Sequence, residues 1–502
     1  MRARNDEAMW SRLFREFDGK GSTLQSRIKE MLVHAILEGF VSEDARLPSS
    51  RALASALGVS RTTATLALQQ MLDHGFLVSR PRSGLYVNRE ILTPYLGAAA
   101  APARSGAIEW RKRLRLTPTR QRNIAKPRDW QSYKYPFVYG QFDRSLFPVA
   151  DWRECALDSL NVKAIHVWSP DQIDRDLDPL VEQIQRRFLP SRGIWASPEE
   201  ILVTVGGQQA CYLIADLLMG SRTVVGVEDP GYPDARNNFG LRARSVVPLP
   251  IDEGGLIVSR RRLAECDYVY TTPSHQCPTN VTMPMERREA LLTAARDLDF
   301  VVIEDDHESE LNFAGRPLPA LKSLDRHGRV IYVGSLSKTL AHGVRIGFVV
   351  ADAGLIAELR ALRRLNLRHP PANNAYAAAL FLAQGHRDSF VARLNTVYRD
   401  RRGALMAALK VGPVEWLTAA STGGSAAWVR LPQPVEGPAL LQACARRGVV
   451  VETGDIFFAR APKRTRFLRL GYSAIPTESI QAGVRELKAA FQEVLTTPWP
   501  KR

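Results

Sequence analysis

Between residues 23 and 40, apolar residues recur at three- and four-residue intervals, the spacing of one face of an α-helix. This pattern predicts a helix whose buried face is formed by Leu24, Ile28, Met31, Leu32 and Ile36. Pro48 marks a break, because proline lacks the N–H donor that a helix interior requires. One of the two serines after Pro48 can cap the next helix.

Two further helices are expected in quick succession. Residues 51–57 predict a short amphipathic helix, and Gly58 supplies the tight turn after it. Ser60 should cap a longer helix over residues 61–74. The apolar residues of both helices are expected to face inward: Leu53, Ala54, Leu57, Ala64, Leu66, Ala67 and Met71. The polar residues of the second helix's first turn should face outward: Arg61, Thr62 and Thr63.

Two short β runs follow, at residues 76–79 and 85–87, joined by a polar tip that contains Arg80, Arg82 and Gly84. They predict a hairpin. Helix, glycine turn and capped helix form the geometry that lays a second helix into the DNA major groove. A basic hairpin beside it can reach phosphates or the minor groove. The pattern therefore favours a winged helix-turn-helix over a helical scaffold without a DNA partner.

From about residue 135 onwards, short β runs alternate with helical segments. Such alternation predicts a mainly parallel α/β sheet with ligands at the carboxyl ends of its strands. The predicted strands are residues 201–205, 224–227, 267–270, 300–303 and 330–333.

Glycines open a helix after the first strand, and chemically distinctive residues follow the other four. An aromatic follows the second strand, the segment 271–279 with His275 and Cys277 follows the third, acids follow the fourth, and serines, a lysine and an arginine follow the fifth. A pyridoxal phosphate site would use these residue types together: an amine for a Schiff base, a carboxylate for the ring nitrogen, an aromatic for the ring, and donors for the phosphate. Each residue alone has an ordinary structural explanation, whereas the combination favours the cofactor site.

Composition narrows the class of protein. The 502 residues, 45% of them apolar and 24% charged, allow two to four globular domains and exclude a disordered or fibrous chain. No apolar run is long enough to span a bilayer, so we expect a cytoplasmic protein without a membrane partner. Five scattered cysteines favour neither a disulfide framework nor a metal site.

The net charge of +16 suggests an anionic partner. Half of this net charge lies within residues 104–134, which contain ten Lys and Arg residues and only two acids, Glu109 and Asp129. A run of small residues and prolines precedes this basic stretch, so we predict a basic linker over residues 89–134. It is either a solvated spacer or a tether that also touches DNA phosphates.

Three motifs in the first 88 residues resemble the GntR-type winged-helix family. They are Arg46-Leu47-Pro48-Ser49-Ser50-Arg51, Val59-Ser60-Arg61-Thr62-Thr63 and the hairpin with Gly84. The resemblance implies a DNA-binding domain over residues 12–88. The residues that would contact double-stranded DNA are Ser49, Arg51, Arg61, Thr62, Thr63, Arg82 and Gly84.

Residues 135–497 resemble fold-type I aminotransferases, most specifically in Ser335-Leu336-Ser337-Lys338 with Arg345. The resemblance implies pyridoxal 5'-phosphate as cofactor, bound as a Schiff base on Lys338. Asp305, or Asp306 in its place, would pair with the pyridine nitrogen, and Arg469 would hold a substrate carboxylate. The other implied cofactor-binding residues are Gly207, Gln208, Tyr232, His307, Ser335, Ser337 and Arg345.

The chain departs from the aminotransferase pattern at three places. Cys277-Pro278-Thr279-Asn280 stands where an Asn-Pro-Thr-Gly motif is common, and His307 stands where a tyrosine is usual. The segment 169–176 lacks an expected glycine-bearing stretch.

The order of the two domains resembles the MocR/GabR group of bacterial transcriptional regulators. This implies a sequence-specific DNA-binding protein, a head-to-tail homodimer, whose large domain senses an amino acid or related amine through an external aldimine. We expect a sensor rather than a catalyst. One alternative is an active aminotransferase with a DNA-binding appendage, and another is a DNA-binding dimer whose large domain has lost its cofactor.

Overall fold

The computed structural model describes residues 7–17, 23–38, 40–41, 45–81, 83–88, 108–141, 143–313, 315, 317–411, 416–419 and 421–496. The chain divides into two compact units, Met1–Leu114 and Arg115–Arg502. Among the described residues, no helix is both long and apolar enough to cross a membrane. The boundary lies inside the predicted linker, whose first part, 89–107, is outside the described residues, while residues 115–134 belong to the second unit.

The first unit is a helical domain with a two-stranded hairpin. Its elements are α1 (Glu7–Glu16), α2 (Leu24–Leu37), α3 (Ser50–Leu57), α4 (Arg61–Asp73), β1 (Leu77–Arg80), β2 (Gly84–Val87) and the short α5 (Trp110–Arg113).

The predicted caps and turn of the helix pair are confirmed. The Ser49 hydroxyl accepts the Ala52 N–H at 3.2 Å, and the Ser60 hydroxyl accepts the Thr63 N–H at 3.1 Å. Gly58 between the helices has φ +66°, a conformation that glycine adopts without steric cost. These contacts satisfy backbone donors that a helix start leaves unpaired.

Two residues predicted to face inward do not. Leu24 is 47% exposed, because it is the first residue of α2 and lies outside the packed turns. Leu66 is 49% exposed, and Leu68 takes the buried position instead. The buried face of α4 therefore follows the helical period through Ala64, Ala67, Leu68 and Met71.

The hairpin pairs β1 with β2 in antiparallel register, from Leu77 opposite Val87 to Arg80 opposite Gly84. The Arg80 guanidinium lies 4.1 Å from the centre of the Tyr86 ring. Gly84 has φ +116°, and a Cβ there would stand 2.8 Å from Arg46 Nε, so the wing needs glycine at this position.

The second unit contains the remaining elements. Its helices are α6 (Val149–Asp158), α7 (Val162–Trp168), α8 (Asp178–Gln183), α9 (Leu189–Ser191), α10 (Gly206–Leu218), α11 (Pro233–Gly240), α12 (Arg260–Leu263), α13 (Met285–Leu298), α14 (Leu321–Leu324), α15 (Ala353–Leu367), α16 (Ala372–Ala383), α17 (His386–Lys410), α18 (Gly437–Arg446) and α19 (Thr477–Thr496). Its strands are β3 (Tyr135–Pro136), β4 (Ile201–Thr204), β5 (Val224–Asp229), β6 (Ser245–Asp252), β7 (Gly255–Leu256), β8 (Tyr268–Thr271), β9 (Val301–Asp305), β10 (Val330–Ser335), β11 (Gly347–Val350), β12 (Leu417–Thr418), β13 (Ala426–Val435), β14 (Val449–Val450), β15 (Glu452–Thr453) and β16 (Thr465–Gly471).

An eight-stranded sheet in the order β4-β11-β10-β9-β8-β5-β6-β7 organises this unit. Six strands run parallel, and β11 and β7 run antiparallel to their neighbours. Buried apolar clusters pack against the sheet, one of them through α10 and α15. The predicted mainly parallel α/β sheet is confirmed, and all five predicted strands are present with shifted ends.

A second, four-stranded antiparallel sheet in the order β12-β13-β16-β15 was not predicted. It carries Arg469 on β16 directly opposite Glu452 on β15 and Trp428 on β13. This pairing brings the C-terminal part of the chain to the cavity described below.

Candidate functional site

A cavity of about 410 Å³ lies in the second unit, where the parallel strands end. All ten residues that the sequence predicted for the cofactor and the substrate carboxylate line it: Gly207, Gln208, Tyr232, Asp305, His307, Ser335, Ser337, Lys338, Arg345 and Arg469. The loops that follow β4, β5, β9 and β10 carry most of these side chains, as expected for a ligand site on a parallel sheet.

The structure separates the roles of the two adjacent aspartates. Asp305, at the end of β9, lines the cavity and accepts a hydrogen bond of 2.6 Å from the Tyr270 hydroxyl. His307 Nδ1 lies 3.8 Å from Asp305 Oδ1. The Asp305 carboxylate therefore faces the cavity, where it can accept a hydrogen bond from a protonated ring nitrogen.

Asp306 is buried away from the cavity in a network of donors. It accepts from Arg192 Nε at 2.7 Å, from the Ser274 hydroxyl at 2.5 Å and from the Tyr332 hydroxyl at 2.8 Å. Burial alone would raise the pKa of Asp306, but the Arg192 charge and these hydrogen bonds outweigh it and lower the pKa to about 2. Asp306 thus connects the end of β9 to β10 and to the segments that carry Arg192 and Ser274, and it does not line the cavity.

Lys338 Nζ lies 4.4 Å from the centre of the Tyr139 ring, and a Cβ on Gly140 would stand 3.3 Å from it. Burial lowers the pKa of Lys338, and the buried Glu308 carboxylate opposes this shift. A lowered pKa increases the fraction of unprotonated amine, which is the form that attacks a carbonyl.

Another part of the cavity wall suits a phosphate. Gly206 has φ +76° at the start of α10, and a Cβ there would stand 2.7 Å from Arg345 Nη2. Arg345 donates to the Val205 carbonyl at 3.0 Å, and Ser335 accepts the Ser337 N–H at 3.3 Å. A helix start, an arginine and a serine hydroxyl are typical anion donors.

One wall of the cavity carries a polar network around Tyr232. The Gln208 side chain donates to the Tyr232 hydroxyl at 3.1 Å, which in turn donates to Asp234 at 3.1 Å. This network fixes the orientation of the aromatic ring.

Arg469 lies fully buried between two aromatic rings, 3.9 Å from the Tyr139 centroid and 4.5 Å from the Phe457 centroid. Its Nε donates to Glu452 Oε2 at 2.7 Å. Burial would lower the pKa of Arg469, but Glu452 outweighs this and keeps the guanidinium charged. The Arg469 Nη2 atom also lies 2.6 Å from Glu452 Oε2, so the ion pair engages two of its nitrogens.

Several lining residues were missed by sequence reasoning: Ile124, Lys126, Tyr139, Gly140 and His342. His342 is near Lys338 in the chain, and burial lowers its pKa to about 3, so it is a neutral imidazole. Its Nε2 has no partner among the described residues. The position of His342 four residues after the lysine was the available signal, whereas Lys126 lay in a segment predicted to be a linker.

The structure shows where the three departures from the aminotransferase pattern lie. Cys277 and His307 both line the cavity, and Cys277 Sγ lies 3.8 Å from Arg469 Nη1. Asn280 has φ +59°, a left-handed conformation in which asparagine is the best substitute for glycine. In segment 169–176, Asp176 is buried and paired with Arg363 and Arg360.

In the first unit, Ser49, Arg51, Arg61 and Thr62 are exposed, while Thr63 is half-buried beside Ser60. Ser49 and Gly84 line a shallow hollow together with Thr65 and Gln69. Arg82 lies outside the described residues. The exposed face of α4 continues beyond the predicted residues through Thr65, Leu66 and Gln69.

Comparisons with known proteins match this geometry. The model for aminotransferase class I and II matches residues 146–487, and that for bacterial regulatory proteins of the gntR family matches residues 24–87. The HTH-type transcriptional regulator TauR of Rhodobacter capsulatus is 41% identical over 94% of this chain and 97% of its own. The probable rhizopine catabolism regulatory protein MocR of Rhizobium meliloti is 29% identical over 93% of this chain and 94% of its own.

Among solved structures, the chain resembles a kynurenine aminotransferase of Pyrococcus horikoshii, with a TM-score of 0.70, 26% identity, and 78% of this chain and 98% of that chain covered. It also resembles LysN of Thermus thermophilus, an α-aminoadipate aminotransferase complexed with N-(5'-phosphopyridoxyl)-L-leucine. The TM-score is 0.69 and the identity 28%, with 77% of this chain and 99% of that chain covered.

Fold and cavity define a fold-type I aminotransferase domain that follows a GntR-type winged helix. The chain belongs to the MocR-type family of transcriptional regulators, which combine these two domains.

The cofactor of the large domain is pyridoxal 5'-phosphate, and the residues present fit it. When bound, it supplies an aldehyde for primary amines and an electron-accepting ring. Of the residues that line the cavity, Lys338 would offer the amine, Asp305 the carboxylate, and Gly207, Ser335 and Arg345 the anion donors. The unpartnered His342 Nε2 at the cavity wall indicates a polar ligand there.

Proposed function

We propose that the large domain senses an amino acid or related amine and adjusts how the winged helix binds its operator. The observation that carries this proposal is the placement of Lys338 and Arg469 in one cavity, both against the Tyr139 ring. An effector with an amine at one end and an acid at the other could compete with Lys338 and pair with Arg469. Arg469 suits a carboxylate because its planar fork donates two parallel hydrogen bonds.

We assign the cofactor contacts within this proposal. Lys338 holds the cofactor in the resting state, Asp305 receives its ring nitrogen and Tyr232 stacks on the ring. The phosphate lies against Gly207, Gln208, Ser335, Ser337 and Arg345. His307 takes the place of a tyrosine near the ring, supported by its position 3.8 Å from Asp305.

Operator binding is assigned to the first turns of α3 and α4 and to the wing. The exposed Arg61 and Thr62 at the start of α4 would lie nearest the base edges, and Arg51 at the start of α3 would contact phosphate.

We expect the protein to act as a head-to-tail homodimer in the cytoplasm, where the chromosome lies. Exposed apolar side chains on α6 and α7, such as Leu157 and Val162, support an interface.

The decisive experiment combines absorption and DNA binding. The visible spectrum of the purified protein is followed while L-amino acids and other primary amines are titrated, and the operator affinity is measured with and without each amine. An amine that shifts the band durably and changes operator affinity supports the sensor. A band shift without any effect on DNA affinity would refute it.

The alternative, a working aminotransferase, is favoured by the cavity's retention of both Lys338 and Asp305. It predicts that the band is bleached by an amino donor and recovers with a keto acid, with keto product accumulating over many turnovers. Product limited to one equivalent per site would exclude this alternative.

A further inference from the structure

The second unit begins with a segment that enters the effector cavity. Residues 121–126, which we call the strap, were predicted to be part of a linker, yet Ile124 and Lys126 line the cavity. The Lys126 ammonium donates to the Tyr139 carbonyl oxygen and lies 3.5 Å from Glu452 Oε1. The strap therefore contributes a cation to the same end of the cavity as Arg469.

The strap is held on both sides of the cavity. On one side, Gln121 donates to the Asn237 carbonyl of α11 at 3.0 Å, and the Asn237 side chain donates to the Arg122 carbonyl at 2.9 Å. On the other side, Arg122 donates to the carbonyls of Phe458 at 3.2 Å and Asp455 at 2.5 Å. These contacts fix the position from which Lys126 reaches inward.

Two cations at this end of the cavity lie against a single acid. Glu452 is the acid shared by Arg469 and Lys126, and its side chain is only 4% exposed. Arg469 uses Glu452 Oε2, while Glu452 Oε1 makes no well-directed hydrogen bond among the described residues. Because two cations share this one carboxylate in a poorly solvated place, the oxyanion of a ligand would give them a second acceptor.

We propose that Lys126 is a second ligand for the oxyanion of the effector, acting together with Arg469. This inference rests on the proposed function, since it assumes that an amine effector enters the cavity. It predicts that effectors are amines carrying an oxyanion and that uncharged amines bind more weakly. Because Lys126 belongs to the strap, effector binding also acts on the segment that connects in sequence to the DNA-binding unit.

The test compares Lys126→Met, which keeps the alkyl stem and removes the charge, with Lys126→Arg, which keeps the charge. Lys410→Met, at an exposed lysine on α17, is the matched control. Each full-length protein, loaded with pyridoxal phosphate, is titrated with L-amino acids, 3-aminopropanoate, 4-aminobutanoate and 2-aminoethanesulfonate. 1-Aminopropane serves as the amine without an oxyanion.

We expect Lys126→Met to raise the half-saturating concentration of the tightest oxyanion-bearing amine roughly tenfold, as for the loss of one charge-assisted hydrogen bond. The half-saturating concentration of 1-aminopropane should stay within about twofold. Lys126→Arg and Lys410→Met should stay within about threefold of the wild type for both probes.

A loss of affinity that is equal for both classes of amine would overturn the assignment, as would no loss at all. If Lys126→Met does not fold, Lys126→Gln takes its place, because the amide can still donate to the Tyr139 carbonyl. A wild-type protein whose spectrum responds to no amine would refute the proposed function itself. A responsive wild type with an unaffected Lys126 variant would refute only this inference.

Discussion

Replacing each of the two adjacent aspartates by asparagine should have opposite consequences. Asp306→Asn is expected to destabilise the large unit while leaving the absorption band of the bound cofactor in place. Asp305→Asn is expected to change the band while leaving stability nearly unaltered. The reason is that Asp306 faces Arg192 inside the fold, whereas Asp305 faces the cavity.

The expected loss in the free energy of unfolding of Asp306→Asn follows from the partners of Asp306. Arg192 is 2% exposed, and removing its acid leaves a buried charge uncompensated, which costs about 3–5 kcal/mol. The lowered pKa of Asp306 has the same sign, because it means that the folded state favours the charged carboxylate. Since the native pKa lies below the unfolded one, this contribution is present above about pH 4 and is lost as the pH falls towards 2.

Asp305→Asn should lower the free energy of unfolding by less than about 1 kcal/mol. The Asp305 carboxylate has one hydroxyl donor, Tyr270, and an amide oxygen can accept the same hydrogen bond. Stability is measured by urea unfolding of both variants without cofactor, followed by circular dichroism, so that cofactor affinity does not contribute. Spectra are then recorded after reconstitution. Equal destabilisation by the two variants, or a changed band only in Asp306→Asn, would refute the assignment.

Four further outcomes are expected. Arg61→Ala should weaken operator binding severalfold in a shift assay without altering the cofactor spectrum, and unchanged binding would remove the start of α4 from the interface. Lys338→Ala should abolish borohydride-reducible attachment of the cofactor, so persistent attachment would place the Schiff base elsewhere. Gly206→Ala should weaken cofactor binding in a reconstitution titration, because its Cβ would stand 2.7 Å from Arg345 Nη2 and φ is +76°; unaltered binding would contradict that crowding. Neutralising the arginines at 111, 113 and 115 should flatten the salt dependence of DNA affinity if they touch phosphates, and an unchanged slope would make them a spacer.

Much of the fold could be predicted because local chemistry coincides with the final structure. Ser60 caps α4 with its own hydroxyl, and strand β10 is a continuous apolar run that stays buried. Strand β6 was not predicted, because it contains Pro248 and Pro250 and prolines normally argue against a strand. It tolerates them because its outer neighbour β7 pairs only with Ile251 and Asp252.

The site could be predicted in its parts but not in its geometry. Lys338, Asp305 and Arg469 were chosen by residue type and motif, and each lines the cavity. The choice between Asp305 and Asp306 required the position of Arg192, which lies more than a hundred residues earlier in the chain. Likewise, Leu66 was assigned inward by hydrophobicity, although the helical period of Ala64, Ala67 and Met71 already places it on the outer face.

The strap shows why a basic segment can be mistaken for a spacer. Its side chains mostly bind main-chain carbonyls: Arg122 binds those of Asp455 and Phe458, and Lys126 binds that of Tyr139. Every residue has a carbonyl, so these acceptors leave no mark in the sequence, whereas a carboxylate partner would at least suggest a pair. Solvated and docked arginines therefore look alike in composition. Only their contacts in the folded chain distinguish them, and here these contacts make part of a predicted linker a wall of the cavity.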